Sequence, residues 1–79
     1  MQMTPLQCRL ARAAVGLSIS ELGKAAGVRA ATISHFEGGG DSYASTIAKL
    51  RDVFERQGVA FIADGEASLA GGVGVRLRG

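Results

Sequence analysis

The stretch from Ser18 to Glu37, SISELGKAAGVRAATISHFE, constrains the fold more than any other part of the chain. Ser18 followed by Glu21 forms a capping box, in which a hydroxyl and a carboxylate satisfy the free amides at a helix start. Leu22, Ala25 and Ala26 supply one apolar stripe, and Gly27 offers the left-handed conformation that stops a helix. Val28 follows as a wedge. Ala30 to Glu37 then predicts a second helix with Ile33 and Phe36 turned inward. Two short helices, a tight glycine turn and an apolar i, i+3 pair on the second helix make a helix-turn-helix pattern.

The remaining sequence has to complete one core around that pair, because 79 residues leave no room for a second. A hydrophobic fraction of 47% excludes a disordered chain, and no apolar run approaches the roughly 18 residues of a membrane span. The opening MQMTPLQCRLARAAVGL lacks the charged and apolar segments of a secretory signal, so a cytoplasmic location is expected. Cys8 is the only cysteine and His35 the only histidine, which allows no internal disulfide and no recognisable zinc site. No paired-carboxylate site and no nucleophile beside a base can be found, so neither an enzyme nor a cofactor is expected. The net charge is only +2, but Arg9, Arg12, Lys24 and Arg29 precede residue 40 against Glu21 and Glu37. That modest basic excess permits nucleic-acid binding without demanding it.

Thr4-Pro5-Leu6-Gln7 opens the first helix with a capping residue, a proline at the first helical position and a glutamine completing a second capping box. Leu6, Leu10, Ala13, Ala14 and Leu17 are expected on its buried side, and Gly16 ends it. Gly38-Gly39-Gly40-Asp41-Ser42 reads as a flexible connector. No strand precedes it and no Gly-Lys-Ser/Thr follows, so it is not a phosphate cradle. A fourth helix is expected from Ala44 or Ser45 to Gln57, with Ile47, Leu50, Val53 and Phe54 inward and Lys49, Arg51, Asp52, Glu55 and Arg56 solvated. Residues 59–63 and 73–78 carry β-formers, and together they predict a two-stranded hairpin joined by a loop at 64–72.

The expected architecture is mainly α: a four-helix bundle of residues 1–58, with a C-terminal hairpin of residues 59–79 in the same compact domain. An isolated hairpin is marginal in water. Phe61, Ile62, Val75 and Leu77 therefore either form an apolar surface for a partner or a second copy, or fold back and extend the core.

Gly16-Leu17-Ser18, Glu21-Leu22, Ala26-Gly27-Val28, Thr32-Ile33 and Phe36-Glu37-Gly38 resemble the Cro and phage-repressor helix-turn-helix family, also called XRE-like, over about residues 5 to 58. The tail, GVAFI followed by GGVGVRLR, is similar to that of short single-domain bacterial regulators of this family, which are commonly encoded on mobile elements. The resemblance implies a repressor-type bundle, usually dimeric, with the second motif helix in the DNA major groove and the first across the backbone. Position by position, it implies that Arg29, Ala30, Ala31, Ser34 and His35 touch bases or adjacent phosphates, and that Ser18 and Ile19 meet a phosphate. It also implies a bracing ion pair between Arg12 and Glu37. The chain departs from the family at Ile19, often glutamine or threonine, and at Ala30 and Ala31, which can touch thymine methyls but cannot make bidentate hydrogen bonds. Its GGGD loop also lacks the cation frequent after Glu37, and phosphate repels Asp41.

Plainer readings stand beside these. A cation at Arg29 opposes the helix dipole, which favours a functional role over a solvated charge. Ser34 and His35 are either contact residues or ordinary surface, whereas Lys24 and Arg9 read as solvated. Cys8 reads as a small, partly buried hydrophobe, and Tyr43 as packing on the fourth helix rather than stacking on a base. Two functions follow. One is a sequence-specific DNA-binding transcriptional regulator, a homodimer on a near-palindromic operator. The other is a protein of the same fold that binds and inhibits another transcription regulator, with little DNA binding.

Overall fold

A computed structural model describes residues 2–62 and 74–77. Four helices, α1 (Pro5–Val15), α2 (Ile19–Ala26), α3 (Ala30–Glu37) and α4 (Ala44–Arg56), lead into the strands β1 (Val59–Ile62) and β2 (Gly74–Leu77). The chain is therefore mainly helical with a small antiparallel hairpin, as the sequence pattern predicts. The expected 64–72 loop, with Ala63, Val73 and Arg78, lies outside the described residues.

Local chemistry explains the helix boundaries. Both capping boxes form. Gln7 N–H donates to Thr4 Oγ1 at 3.1 Å and Thr4 N–H to Gln7 Oε1 at 2.9 Å. Ser18 and Glu21 exchange the same two bonds, each 3.0 Å long. These bonds satisfy amides that a helix start leaves free. Gly27 closes α2 at φ 69°, a conformation in which a Cβ would be strained.

The core is built from Leu22 of α2, Ile33 and Phe36 of α3, and Ile47, Leu50, Val53 and Phe54 of α4, joined by Met3 before α1 and Val59 at the start of β1. In α1 the buried side differs from the expected one. Gln7, Cys8 and Ala11 face inward, while Leu6 and Leu10 are 46% and 38% exposed and Ala13 and Ala14 lie on the surface. Leu17 is half-buried, and Ala25 of the expected α2 stripe is exposed. Cys8, expected to be partly buried, is fully enclosed.

Gln7 supplies the reason for the rotation of α1. Its side-chain amide donates to the carbonyls of Ile62 at 3.0 Å and Gly74 at 3.1 Å, while its oxygen accepts from Thr4. A buried amide is stable when its hydrogen bonds are made. Here they tie both strands of the hairpin to the first turn of α1, and that attachment fixes which side of α1 faces the core.

The hairpin pairs Val59 with Leu77, Ala60 with Arg76, Phe61 with Val75 and Ile62 with Gly74. It folds back onto the helices. Ile62 is 7% exposed, so it belongs to the interior and not to a docking surface. Phe61 meets Phe54 edge-on with ring centroids 6.2 Å apart, and the Arg51 guanidinium lies 5.0 Å from its ring centre. Aromatic edge contacts and a cation over a ring face both favour this packing. Phe61 and Val75 thus pack on the core, and of the four hairpin positions only Leu77, at 57%, is exposed.

Candidate functional site

The outer face of the α2–α3 pair is set by how closely the two helices approach. Gly23 is buried, and a Cβ there would lie 2.5 Å from the Val28 carbonyl oxygen. Val28 N–H in turn donates to the Gly23 carbonyl at 2.9 Å. A backbone-to-backbone approach this tight requires glycine. It fixes the turn, and Ile33 and Phe36 hold the inner side of α3 in the core.

With its inner side fixed, α3 presents Ala30, Ala31, Ser34 and His35 to solvent, preceded by exposed Arg29 as the N-cap residue. Arg29 makes no side-chain cap bond. All five positions singled out from the sequence lie together on one exposed surface. A shallow depression across the turn is lined by Lys24 and Arg29 together with Ser20 and Ala30, so the two cations border one concavity.

The first-helix positions divide. Ser18 is exposed, but its hydroxyl accepts the Glu21 amide, and its own N–H, with a lesser side-chain bond, donates to the Glu21 carboxylate and holds that carboxyl below the usual range. Ile19 is half-buried and packs against the core, so its side chain serves the scaffold first.

Behind α3 lies the expected ion pair. Arg12 Nε donates to Glu37 Oε2 at 2.7 Å and Nη2 to Oε1 at 2.8 Å, a bidentate arrangement. A third bond was not legible in the sequence: the Cys8 thiol donates to Glu37 Oε2 at 3.2 Å. Burial pushes Glu37 upward, but the hydrogen bonds from Arg12 and Cys8 and the charges of Arg12 and Arg9 outweigh it and hold the carboxyl below its ordinary range. Burial, then the bond to Glu37, pushes the Cys8 thiol far above its ordinary value. Cys8 is thus an inert donor that completes the brace of α1 against α3.

The loop after α3 also departs from expectation. Gly40 is no idle spacer: a Cβ on it would overlap the His35 imidazole, and its N–H donates to the His35 carbonyl at 2.9 Å. The ring is therefore seated on the Gly40 backbone. Beside it an open hollow runs from Ala31, Thr32 and His35 to Ser42, Tyr43 and Thr46. Tyr43, expected to pack on α4, is instead 83% exposed at the rim of this hollow. No signal in the sequence separated those two fates of Tyr43, which stands at the N-cap of α4.

Among the described residues, no group of three or more His, Cys, Asp and Glu residues is placed to hold a metal ion, and no helix is long and apolar enough to cross a membrane. No protein-family model and no curated protein matches the chain.

Proposed function

We propose that this protein is a sequence-specific DNA-binding transcriptional regulator that acts as a homodimer, with α3 of each copy in the major groove of a near-palindromic operator. The observation that carries the reading is the exposed surface of Arg29, Ala30, Ala31, Ser34 and His35 on a helix whose opposite side is locked into the core. Arg29 and Lys24 supply positive charge where a duplex backbone would pass. Ala30 and Ala31 suit thymine methyls, and Ser34 and His35 offer hydrogen-bonding groups to base edges or phosphates. The backbone amide of Ile19 opens α2 and suits a phosphate contact, whereas the Ser18 amide is taken by the Glu21 carboxylate. A two-fold dimer would set two α3 helices about one duplex turn apart, roughly 34 Å.

Selection from a pool of randomised duplexes tests this. The chain should enrich a near-palindromic sequence. Its affinity should fall with salt as Lys24 and Arg29 of two copies, four cations in all, displace counterions. With a slope of about −0.9 per phosphate contact, a fourfold rise in salt should weaken binding roughly 150-fold. Failure to enrich any duplex at low salt would sink the proposal.

One observation favours a second reading, inhibition of another transcription regulator by direct binding. The outer side of α1 exposes Leu6, Leu10, Ala13 and Ala14 as a continuous apolar strip at helical spacing. Under that reading the regulator co-purifies with the chain, no duplex is enriched, and Leu10→Asp abolishes the complex.

A further inference from the structure

Among the described residues Tyr43 is the most exposed of the large apolar side chains, and it makes no hydrogen bond or ring contact there. Its backbone is fixed all the same. As N-cap of α4 it holds φ −65° and ψ 144°, and its carbonyl accepts the Ile47 amide at 3.1 Å. An aromatic on a fixed backbone with this much exposure is a ready contact surface, because a tyrosine has only two side-chain torsions to order on binding.

Its neighbours indicate what it would contact. The hollow at whose rim it stands is shared with α3: Ala31, Thr32 and His35 line the same concavity. The His35 ring beside it is seated on the Gly40 backbone. Asp41 also lines the hollow and repels phosphate, which leaves base and sugar edges as the compatible chemistry.

We infer that Tyr43 is a DNA-contacting residue whose ring packs against a thymine methyl and its deoxyribose at the edge of the base pairs met by α3. This inference rests on the DNA-binding reading above. It extends the reading surface beyond α3 onto the start of α4, and it assigns an aromatic contact to a face whose other readers are small or polar.

The chain contains one tyrosine and no tryptophan, so its intrinsic fluorescence reports on Tyr43 alone. Titration with the duplex enriched from the random pool should quench that emission, with the same midpoint as the anisotropy change of the labelled duplex. Tyr43→Ala should weaken binding about tenfold, the scale of a single groove contact, whereas Tyr43→Phe should bind like the parent. Replacing thymine by uracil throughout the duplex should weaken the parent chain more than Tyr43→Ala, which keeps only the methyl contacts of Ala30 and Ala31 to lose. Tight binding without quenching, and with Tyr43→Ala unchanged, overturns the inference and leaves the role of α3 standing. Equal losses for Tyr43→Phe and Tyr43→Ala place the contact at the hydroxyl and overturn the ring contact. Enrichment of no duplex overturns the inference together with the reading beneath it.

Discussion

Replacing Arg12 by methionine should be the most destabilising single change at the α1–α3 junction, and its pH dependence should reveal why. Glu37 is 7% exposed and receives two short bonds from Arg12. Removing the guanidinium leaves that carboxylate with the Cys8 thiol as its remaining hydrogen-bond donor. Stranding one member of a buried pair costs about 3–5 kcal/mol. Because the Arg12 side chain keeps 23% exposure, water can partly replace it, and the lower end of about 3 kcal/mol applies. A chain of 79 residues has a total stability of about 4–12 kcal/mol, so the loss is a large share and should lower Tm by about 12–24 °C.

The pH dependence has a definite sign. In the parent chain the folded Glu37 titrates below its unfolded value of about 4.3. The unfolded chain therefore takes up this proton first as pH falls. The stabilisation is complete above the unfolded value and is lost as pH drops through the lower, folded one. In Arg12→Met, burial is the dominant influence left, and it raises Glu37 above 4.3. The folded variant then takes up the proton first, and its penalty shrinks as pH is lowered from 7 toward 4. Urea denaturation followed by circular dichroism at both pH values measures the gap directly. Arg12→Met with Glu37→Leu should recover part of the loss, since no charge is left stranded. A gap under about 0.5 kcal/mol at pH 7, of the size usual for surface substitutions, would refute the argument. So would a gap that widens at pH 4.

Other substitutions probe the remaining joints. Gly23→Ala forces a methyl against the Val28 carbonyl, which is backbone and cannot swing away; a loss of about 1–3 kcal/mol is expected in thermal melts. Gln7→Leu strands the carbonyls of Ile62 and Gly74, at about 1–3 kcal/mol for each buried group left unpaired, and should raise amide exchange in β1 well before that in α4. Cys8 is enclosed and its thiol is pushed upward, so a thiol reagent at pH 8 should label it only as fast as the chain opens, with a rate that climbs with urea. Rapid labelling of the folded chain would contradict that placement.

How much of this was legible in the sequence depended on whether the determining chemistry was local. The boundaries of α1 and α2 could be read because their capping boxes and left-handed glycine stops act within four residues. The inward positions of α4 could be read because Ile47, Leu50, Val53 and Phe54 offer one apolar side only. In α1 the same logic misled. Two sides of that helix are apolar, and the leucine-rich one is the more hydrophobic. What decides between them is the bond from Gln7 to strands more than fifty residues away in sequence, which no local pattern contains. The fate of the hairpin was likewise undecided until Phe61 met Phe54 and Arg51. In the candidate site, the α3 positions came from the family resemblance, and the inward Ile33 and Phe36 agree with their exposure. Gly40 and Tyr43 did not, because their roles depend on where the loop carries them beside His35.

The central claim is that the outer face of α3 meets duplex DNA. Amide shifts recorded while the labelled chain is titrated with its selected duplex test it residue by residue. The account predicts shifts concentrated from Arg29 to His35, with a smaller set at Ser18, Ile19 and Lys24, and little change at Leu6, Leu10 or Leu77 beyond what pairing of copies produces. Shifts confined to the outer side of α1 or to the hairpin, with α3 silent at saturation, would contradict it.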